Sequence, residues 1–303
     1  MPKVSATPSK RHLAGESMGA AETLTAWPHA EYSRFVDARP HHWHVQEMGQ
    51  GDTVLLLHGA SGSTHSWRDV MTDLARDHHV VAIDLPGHGQ TKLGSRHRSS
   101  LPLMTQDVQT LIDHEGWNIK AILAHSAGAA LALRLLQPVG TQIPLIAVNP
   151  ALTPFKGLAG VLFPIAARVV ALSPVMAKMI KRRMSGPGQV VSLMETTGSK
   201  ISPEGLNLYA KLFRSDNHLD GTLLMMAQWK LDGLVADLPK IDVPCTFLVG
   251  KNDKAVQPQS VRDSAQKMPN AAVLSYDGYG HLLHEEAPEL VSDQLRAVLR
   301  KYT

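Results

Sequence analysis

The stretch Lys120-Ala121-Ile122-Leu123-Ala124-His125-Ser126-Ala127-Gly128-Ala129-Ala130-Leu131-Ala132-Leu133-Arg134-Leu135-Leu136 predicts a strand, a tight turn and a helix. Ser126 lies at the apex of the turn, and small residues, Ala124 and Gly128, lie two positions to either side. Such a sharp turn accepts only small side chains there, and it lifts the serine hydroxyl clear of the sheet. The turn also directs the backbone N–H of Ala127 toward the place where an oxyanion would form. The pattern departs from Gly-x-Ser-x-Gly only in its first residue, and it predicts Ser126 as a nucleophile.

A serine nucleophile needs a general base, and the base needs a carboxylate that orients it. Downstream of Ser126, residues 244–250 predict a buried strand whose following loop contains Asp253. Residues 272–276 predict another strand, followed by a glycine-rich loop that ends in His281. The carboxyl ends of parallel strands meet at one edge of a sheet. We therefore predict Ser126, Asp253 and His281 as a catalytic triad.

Other residues compete for the same roles. His284 is the alternative base, but it is predicted on the helix that follows, whereas His281 has the glycine-rich turn before it. Asp242 and Asp277 are the alternative acids. The strand after the nucleophile's helix ends in Asn149, which is neutral and cannot stabilise an imidazolium as a carboxylate does. The sequence therefore favours His281 with Asp253.

A second oxyanion donor is predicted earlier in the chain. Residues 53–57 form an apolar strand followed by His58-Gly59-Ala60, and the N–H of Ala60 is the candidate partner for that of Ala127. We expect His58 to hold this loop by hydrogen bonds rather than to take part in chemistry. Residues 79–83 predict a further strand, which continues into the turn-rich Asp84-Leu85-Pro86-Gly87-His88-Gly89.

The serine turn, the loop of Asp253, the loop of His281 and the loop after residues 53–57 together resemble the α/β-hydrolase superfamily over about residues 40–303. The resemblance implies an α/β fold with a mostly parallel central sheet flanked by helices, and a chain order of nucleophile, acid and base that matches Ser126, Asp253 and His281. It also implies that 35–150 and 239–303 form the hydrolase core. Residues 1–34 are predicted to be a flexible N-terminal extension.

The segment 151–238 interrupts the alternation of strands and helices and predicts several helices, inserted after the strand that ends near Asn149. A helical insertion here forms a cap, which excludes water and selects the substrate. The cap is apolar and rich in methionine, which favours a large hydrophobic ligand. The cluster Lys181-Arg182-Arg183 is interpreted as a solvated helix end. The alternatives are peripheral contact with an anionic membrane surface or binding of a ligand's carboxylates.

A closer resemblance extends from about residue 35 to the C-terminus and includes the cap, which differs between hydrolase families. Stretches such as Thr64-His65-Ser66-Trp67-Arg68-Asp69, Asn149-Pro150-Ala151-Leu152-Thr153, Thr196-Thr197-Gly198-Ser199 and Met225-Met226-Ala227-Gln228-Trp229 resemble the magnesium chelatase accessory proteins of bacteriochlorophyll biosynthesis. That resemblance implies a phototrophic bacterium, a role near magnesium insertion into protoporphyrin IX and association with magnesium chelatase. It does not imply a particular reaction.

Composition limits the other classes of function. The 303 residues are 44% hydrophobic, enough for a sizeable core, and a net charge of +3 carries no nucleic-acid signature. The single cysteine, Cys245, excludes an intrachain disulfide framework and fits a reducing cytoplasm. The N-terminus lacks the apolar core of a secretory signal, so a cytoplasmic protein is expected. His42 and His44 share one strand face, but we interpret them as part of a surface strand rather than a metal site. The motifs require no metal or organic cofactor.

Three interpretations of function remain open. In the first, the triad hydrolyses an ester or related carbonyl in a hydrophobic substrate. In the second, the triad is idle and the protein is a tetrapyrrole-binding or chelatase accessory protein. In the third, the same triad hydrolyses a carbon–carbon bond, which the motifs cannot distinguish from ester hydrolysis. The intact triad favours catalysis, whereas the pathway favours binding, because magnesium insertion needs no ester hydrolysis.

Overall fold

The computed structural model describes residues 27–137, 143–153 and 187–301. The predictions for residues 1–26 and for 154–186, which include Lys181-Arg182-Arg183 and the first helices of the cap, fall outside these ranges.

Eight strands form one mixed sheet, in the order β1-β2-β4-β3-β5-β6-β7-β8. The two pairings of β2, with β1 and with β4, are antiparallel, and all other neighbours are parallel. The strands are β1 (Ser33–Ala38), β2 (His41–Met48), β3 (Thr53–Leu57), β4 (His79–Ile83), β5 (Ile119–His125), β6 (Leu145–Val148), β7 (Cys245–Gly250) and β8 (Ala271–Tyr276).

Helices connect the strands and cover both faces of the sheet. Short 3₁₀ turns at Ala30–Tyr32, Thr64–Trp67, Arg96–Arg98 and Leu238–Lys240 complete the described elements. The α-helices are α1 (Arg68–Leu74), α2 (Leu101–Glu115), α3 (Ala127–Leu136), α4 (Pro187–Glu195), α5 (Pro203–Arg214), α6 (Asp216–Gln228), α7 (Asp232–Asp237), α8 (Pro258–Ala265), α9 (Leu283–Glu286) and α10 (Pro288–Leu299).

The core forms two layers because successive side chains of a strand point to opposite faces of the sheet. In β3, Leu55 and Leu57 pack with residues of α2 and α3, whereas Val54 and Leu56 pack with residues of α1 and α10. Every residue of β3 is buried, as expected for a central parallel strand covered on both faces. The predicted fold class, a mostly parallel sheet flanked by helices, is therefore confirmed.

The strand that contains His42 and His44 is not at the surface, so that part of the sequence interpretation is wrong. An additional strand, β1, pairs with β2 and makes β2 an interior strand. His44 and Trp43 are fully buried as a result. The strand β1 was not predicted from the sequence. Without it, the strand that contains residues 41–44 would lie at the edge of the sheet.

The described helices α4, α5 and α6 lie in the chain between β6 and β7. Helices α4 and α5 share a small apolar cluster, in which Val190, Met194, Leu208 and Phe213 are buried together with Trp27 and Leu282. The division into a core at 35–150 and 239–303 and a cap at 151–238 stays a prediction. Among the helices that the structure describes, none is long and apolar enough to cross a membrane.

Asp84, the first residue after β4, joins three parts of the fold. Its carboxylate accepts hydrogen bonds from the N–H of Thr64 at 2.7 Å, the N–H of Gln90 at 2.8 Å and the ring Nδ1 of His44 at 2.7 Å. Burial alone would raise the pKa of Asp84, but the His44 ring and these hydrogen bonds hold that pKa well below its usual range. The carboxylate therefore stays ionised and fixes the loop that follows β4.

The substitution Asp84→Asn is expected to lower the free energy of unfolding by about 3 kcal/mol at neutral pH, because it removes one partner of a buried pair. A depressed folded pKa stabilises the protein above the unfolded pKa of about 3.9, and this contribution is lost as the pH falls through that value toward the folded pKa. Urea unfolding across this range should therefore show the difference between wild type and variant narrowing below about pH 4.

Asp37→Asn is the matched control, since Asp37 pairs with the ring of His42 at 2.6 Å while its side chain is 87% exposed. Its expected cost is below about 1 kcal/mol. A stability gap for Asp84→Asn that stayed constant down to acid pH would contradict the role assigned to its carboxylate.

Candidate active site

The turn between β5 and α3 holds Ser126 in a strained backbone conformation, with φ of 50° and ψ of −116°. Non-glycine residues rarely adopt positive φ, and such strain is concentrated at functional sites. The N–H of Ser126 donates to the carbonyl of Val148 at 3.0 Å, and its own carbonyl accepts from the N–H of Ala151 at 3.1 Å. The end of β6 therefore holds the turn from both sides.

The structure brings together the three residues that the sequence predicts as a triad. The Nε2 atom of His281 lies 3.1 Å from the hydroxyl oxygen of Ser126, and its Nδ1 atom lies 2.8 Å from Oδ2 of Asp253. The exposed fractions are 9% for Ser126, 8% for His281 and 4% for Asp253. Because a carboxylate only accepts, Nδ1 carries a proton and Nε2 is free to accept the serine proton.

The Asp253 carboxylate is oriented by its own loop. Its Oδ1 accepts from the N–H groups of Ala255 and Val256, each at 2.8 Å, which leaves Oδ2 for His281. The two alternative acids are exposed instead of being buried beside His281. Asp242 is exposed, and Asp277, 84% exposed, pairs with Lys251 at 2.9 Å. Only Asp253 of the three contacts the imidazole of His281.

Two buried side chains hold the carbonyl of His281. It accepts from Nε2 of His125 at 3.0 Å and from Nδ2 of Asn149 at 2.8 Å. Asn149 also donates to the carbonyl of Gly280 at 2.9 Å and accepts from the N–H of Gly250 at 2.9 Å. From the sequence, Asn149 was weighed only as the catalytic acid and was rejected because it is neutral. The sequence feature that points to this role is the position of Asn149 at the end of β6. Its hydrogen-bond partners are more than 100 residues away in the chain, so the sequence does not identify them.

His284, the alternative base, makes no contact with Ser126. It is fully buried on α9, with its ring 4.3 Å from that of His125 and 4.4 Å from that of Trp67. Burial lowers the pKa of His284 well below its usual value, and the neighbouring His281 lowers it further. His284 is therefore a neutral packing residue beneath the site.

The candidate oxyanion donors are the backbone N–H groups of Ala60 and Ala127. Ala127 is the first residue of α3, and neither its N–H nor that of Ala60 has a hydrogen-bond acceptor among residues 27–137, 143–153 and 187–301. The ring of His58 donates to the carbonyl of Gly59 at 2.7 Å and accepts from the N–H of Leu85 at 2.9 Å. As expected, His58 fixes the loop that carries Ala60.

Comparison with known proteins identifies the family of the chain. Residues 54–294 match the model of the alpha/beta hydrolase family. The chain belongs to the alpha/beta hydrolase family. The matched region includes every residue of the candidate site.

This alpha/beta hydrolase is similar to the magnesium-chelatase 30 kDa subunit of Rhodobacter capsulatus, with 36% identity across 89% of this chain and 95% of that protein. This confirms the closer resemblance predicted from the sequence. The esterase YbfF of Escherichia coli is 24% identical over 84% of this chain and 95% of its own length. A thermophilic esterase from Thermogutta terrifontis has the same fold, with a TM-score of 0.71 at 22% identity, covering 89% of this chain and 98% of that one.

Several further histidines of the protein are buried and neutral. Burial lowers the pKa of both His65 and His88 to about 3, and it lowers that of His218 well below its usual value. The neighbouring Arg68 is paired with Glu285 at 2.7 Å. His65, His88 and His218 are therefore uncharged at neutral pH.

The part of this protein that the structure describes holds no group of three or more histidine, cysteine or acidic side chains placed to bind a metal ion. Cys245 lies buried within β7, where burial raises the pKa of its thiol. The nucleophile with an activating partner is therefore the hydroxyl of Ser126.

Gly128→Ala is expected to destabilise the protein by about 3 kcal/mol, because overpacking forces the backbone to move. A Cβ atom at Gly128 would lie 2.5 Å from the carbonyl oxygen of Leu57 and 2.6 Å from that of His58. Urea unfolding measures the change. The matched control is Gly188→Ala in α4, where a Cβ would meet nothing within 4 Å. That variant should be neutral or stabilised by up to about 1 kcal/mol. Equal stabilities of the two variants would contradict the close approach of α3 to β3.

Proposed function

We propose that the protein is a serine hydrolase that cleaves an ester or related carbonyl in a hydrophobic substrate. The observation that carries the proposal is the continuous hydrogen-bonded chain from Ser126 through His281 to Asp253, with distances of 3.1 and 2.8 Å. A Ser-His-Asp arrangement with this geometry activates the hydroxyl as a nucleophile. A carbon–carbon bond next to a carbonyl is the alternative scissile bond for the same groups.

In the first half of the proposed reaction, the Ser126 oxygen attacks the substrate carbonyl carbon while His281 Nε2 takes the hydroxyl proton. Asp253 keeps the proton of Nδ1 in place and stabilises the imidazolium. The N–H groups of Ala60 and Ala127 donate to the oxyanion of the tetrahedral intermediate. The intermediate collapses, the carbon–oxygen bond to the alcohol breaks, and His281 gives its proton to the departing alkoxide.

In the second half, water attacks the acyl group on Ser126 and loses a proton to His281. A second tetrahedral intermediate collapses, the acid product leaves and the proton returns to the serine oxygen. No step requires a metal or an organic cofactor. The apolar, methionine-bearing sequence of the predicted cap supports a hydrophobic substrate.

A fluorophosphonate probe tests the proposal, because it forms a covalent bond only with an activated serine. Wild type should be labelled, Ser126→Ala should not, and His281→Gln should slow labelling by at least about 1,000-fold. Asp253→Asn should retain more reactivity than His281→Gln. The matched control is Ser292→Ala, which alters a buried serine whose hydroxyl donates to the carbonyl of Pro288 within α10. Folded wild type that remains unlabelled would contradict the proposal.

A second proposed role is association with magnesium chelatase in bacteriochlorophyll biosynthesis. The 36% identity to the magnesium-chelatase 30 kDa subunit supports it. A tetrapyrrole is then the proposed substrate or ligand. The proposed location is the cytoplasm, where peripheral membrane contact through the cap would bring the protein close to membrane-bound pigment.

Adding the protein to magnesium chelatase and protoporphyrin IX separates catalysis from binding. If hydrolysis matters, wild type should increase the initial rate of magnesium insertion and Ser126→Ala should not. Equal stimulation by both would show an accessory function that does not use the triad. No stimulation by either, with normal labelling of wild type, would contradict the chelatase association alone.

A further inference from the structure

A single backbone carbonyl from the predicted cap joins the acid loop to the base loop. The carbonyl oxygen of Thr197 accepts from the N–H of Lys254 and from the N–H of His281, each at 3.2 Å. Lys254 directly follows Asp253 in the chain. One oxygen atom therefore contacts the main chain of the base itself and that of the neighbour of the acid.

The residues after Thr197 continue this attachment. The hydroxyl of Ser199 accepts from the N–H of Leu282 at 2.7 Å. The carboxylate of Glu286 accepts from the N–H of Lys200 at 2.9 Å and, through its other oxygen, from the N–H of Gly280 at 2.9 Å. The N–H groups of Gly280, His281 and Leu282 are thus all held, directly or through Glu286, by the 197–200 segment.

Gly198 allows the segment to lie directly against both loops. Its φ is +79°, and a Cβ atom there would lie 2.0 Å from the carbonyl oxygen of Asn252. A Cβ atom at Gly280 would lie 2.3 Å from the carbonyl carbon of Gly198. The backbones therefore contact each other with no room for a side chain, so a displacement of the segment displaces both loops.

A second attachment lies one helix further along the chain. The hydroxyl of Tyr209, on α5, donates to Oε1 of Glu285 at 2.7 Å, and Nη1 of Arg68 donates to Oε2 at 2.7 Å. Glu285 lies on α9, the helix that begins just after His281. The short region that carries the base is therefore bound to the predicted cap on both sides.

We propose that the 197–200 segment is a positioning element for the triad, which sets the distance between Asp253 and His281. Misplacing a reacting group by about 1 Å can cost a hundredfold in rate. A ligand that shifts the helices on either side, α4 and α5, would thereby change turnover without touching Ser126. The expected change in turnover rests on the proposed hydrolase function. The placement of His281 beside Asp253 can be measured whether or not the protein turns over a substrate.

The test is Ser199→Ala in the full chain, assayed with a small p-nitrophenyl ester that is too short to contact the cap. Loss of the hydroxyl releases the N–H of Leu282, and we expect kcat to fall about tenfold with KM unchanged within about twofold. Ser199→Thr, which retains the hydroxyl, should recover most of the activity. Gly198→Ala should have a larger effect, because its Cβ collides with Asn252.

A spectroscopic measurement makes the test independent of turnover. The ring ¹⁵N chemical shifts of His281, assigned by comparison with His281→Gln, report the hydrogen bonds of both ring nitrogens. They should change in Ser199→Ala and stay unchanged in Thr196→Ala. Thr196 is the matched control, since its exposed hydroxyl donates only to the carbonyl of Leu193 within the same chain segment. Thermal unfolding establishes that each variant is folded.

The outcomes separate the two proposals. If wild type does not hydrolyse the ester and is not labelled by the fluorophosphonate, the proposed function fails, and the ¹⁵N shifts alone decide the positioning role. If wild type is active and Ser199→Ala has unchanged kcat and unchanged His281 shifts, the positioning role is overturned. A parallel loss in Thr196→Ala would also overturn it, because the effect would then be general weakening of the cap.

Discussion

The hydrogen bonds to the main chain of His281 are the constraint on which the geometry of the site depends. The residue follows β8, an edge strand of the sheet, and within residues 27–137, 143–153 and 187–301 no further strand lies on its outer side to support the loop. Its carbonyl is held instead by His125 and Asn149, and its N–H by Thr197. These partners come from the ends of β5 and β6 and from the helical insertion. The ring that joins Ser126 to Asp253 is thus placed by three separate parts of the chain.

The sequence was sufficient to find the residues that now lie together. Ser126, Asp253 and His281 each follow a strand that could be recognised from its apolar residues, and the carboxyl ends of parallel strands meet at one edge. The fold class follows from the same strands. The sequence could not supply the β1–β2 hairpin or the pairing of His44 with Asp84, which are 40 residues apart, because no local pattern specifies such a partner.

The histidines show the same limit more clearly. Sixteen of them in 303 residues give no pattern along the chain, and only His281 was predicted to take part in catalysis. In the fold, His58 and His125 are buried and form hydrogen bonds with main-chain groups, whereas the buried ring of His284 has no hydrogen-bond partner within the described residues. A neutral imidazole offers one donor and one acceptor, so it can satisfy backbone groups in a tight space where a charged side chain would be costly. Which backbone groups need such a partner is decided only by tertiary packing.

Asn149 carries a consequence for how this site can change during evolution. Its amide nitrogen donates hydrogen bonds to the carbonyls of Gly280 and His281, and its amide oxygen accepts one from the N–H of Gly250. An ionised aspartate at that position would have no proton to give and would face two carbonyl oxygens across hydrogen-bond distance. If evolution moved the catalytic acid from the end of β7 to the end of β6, an aspartate at position 149 would therefore repel the carbonyl oxygens of the loop that carries His281. The location of Asp253 and the identity of residue 149 are expected to change together or not at all.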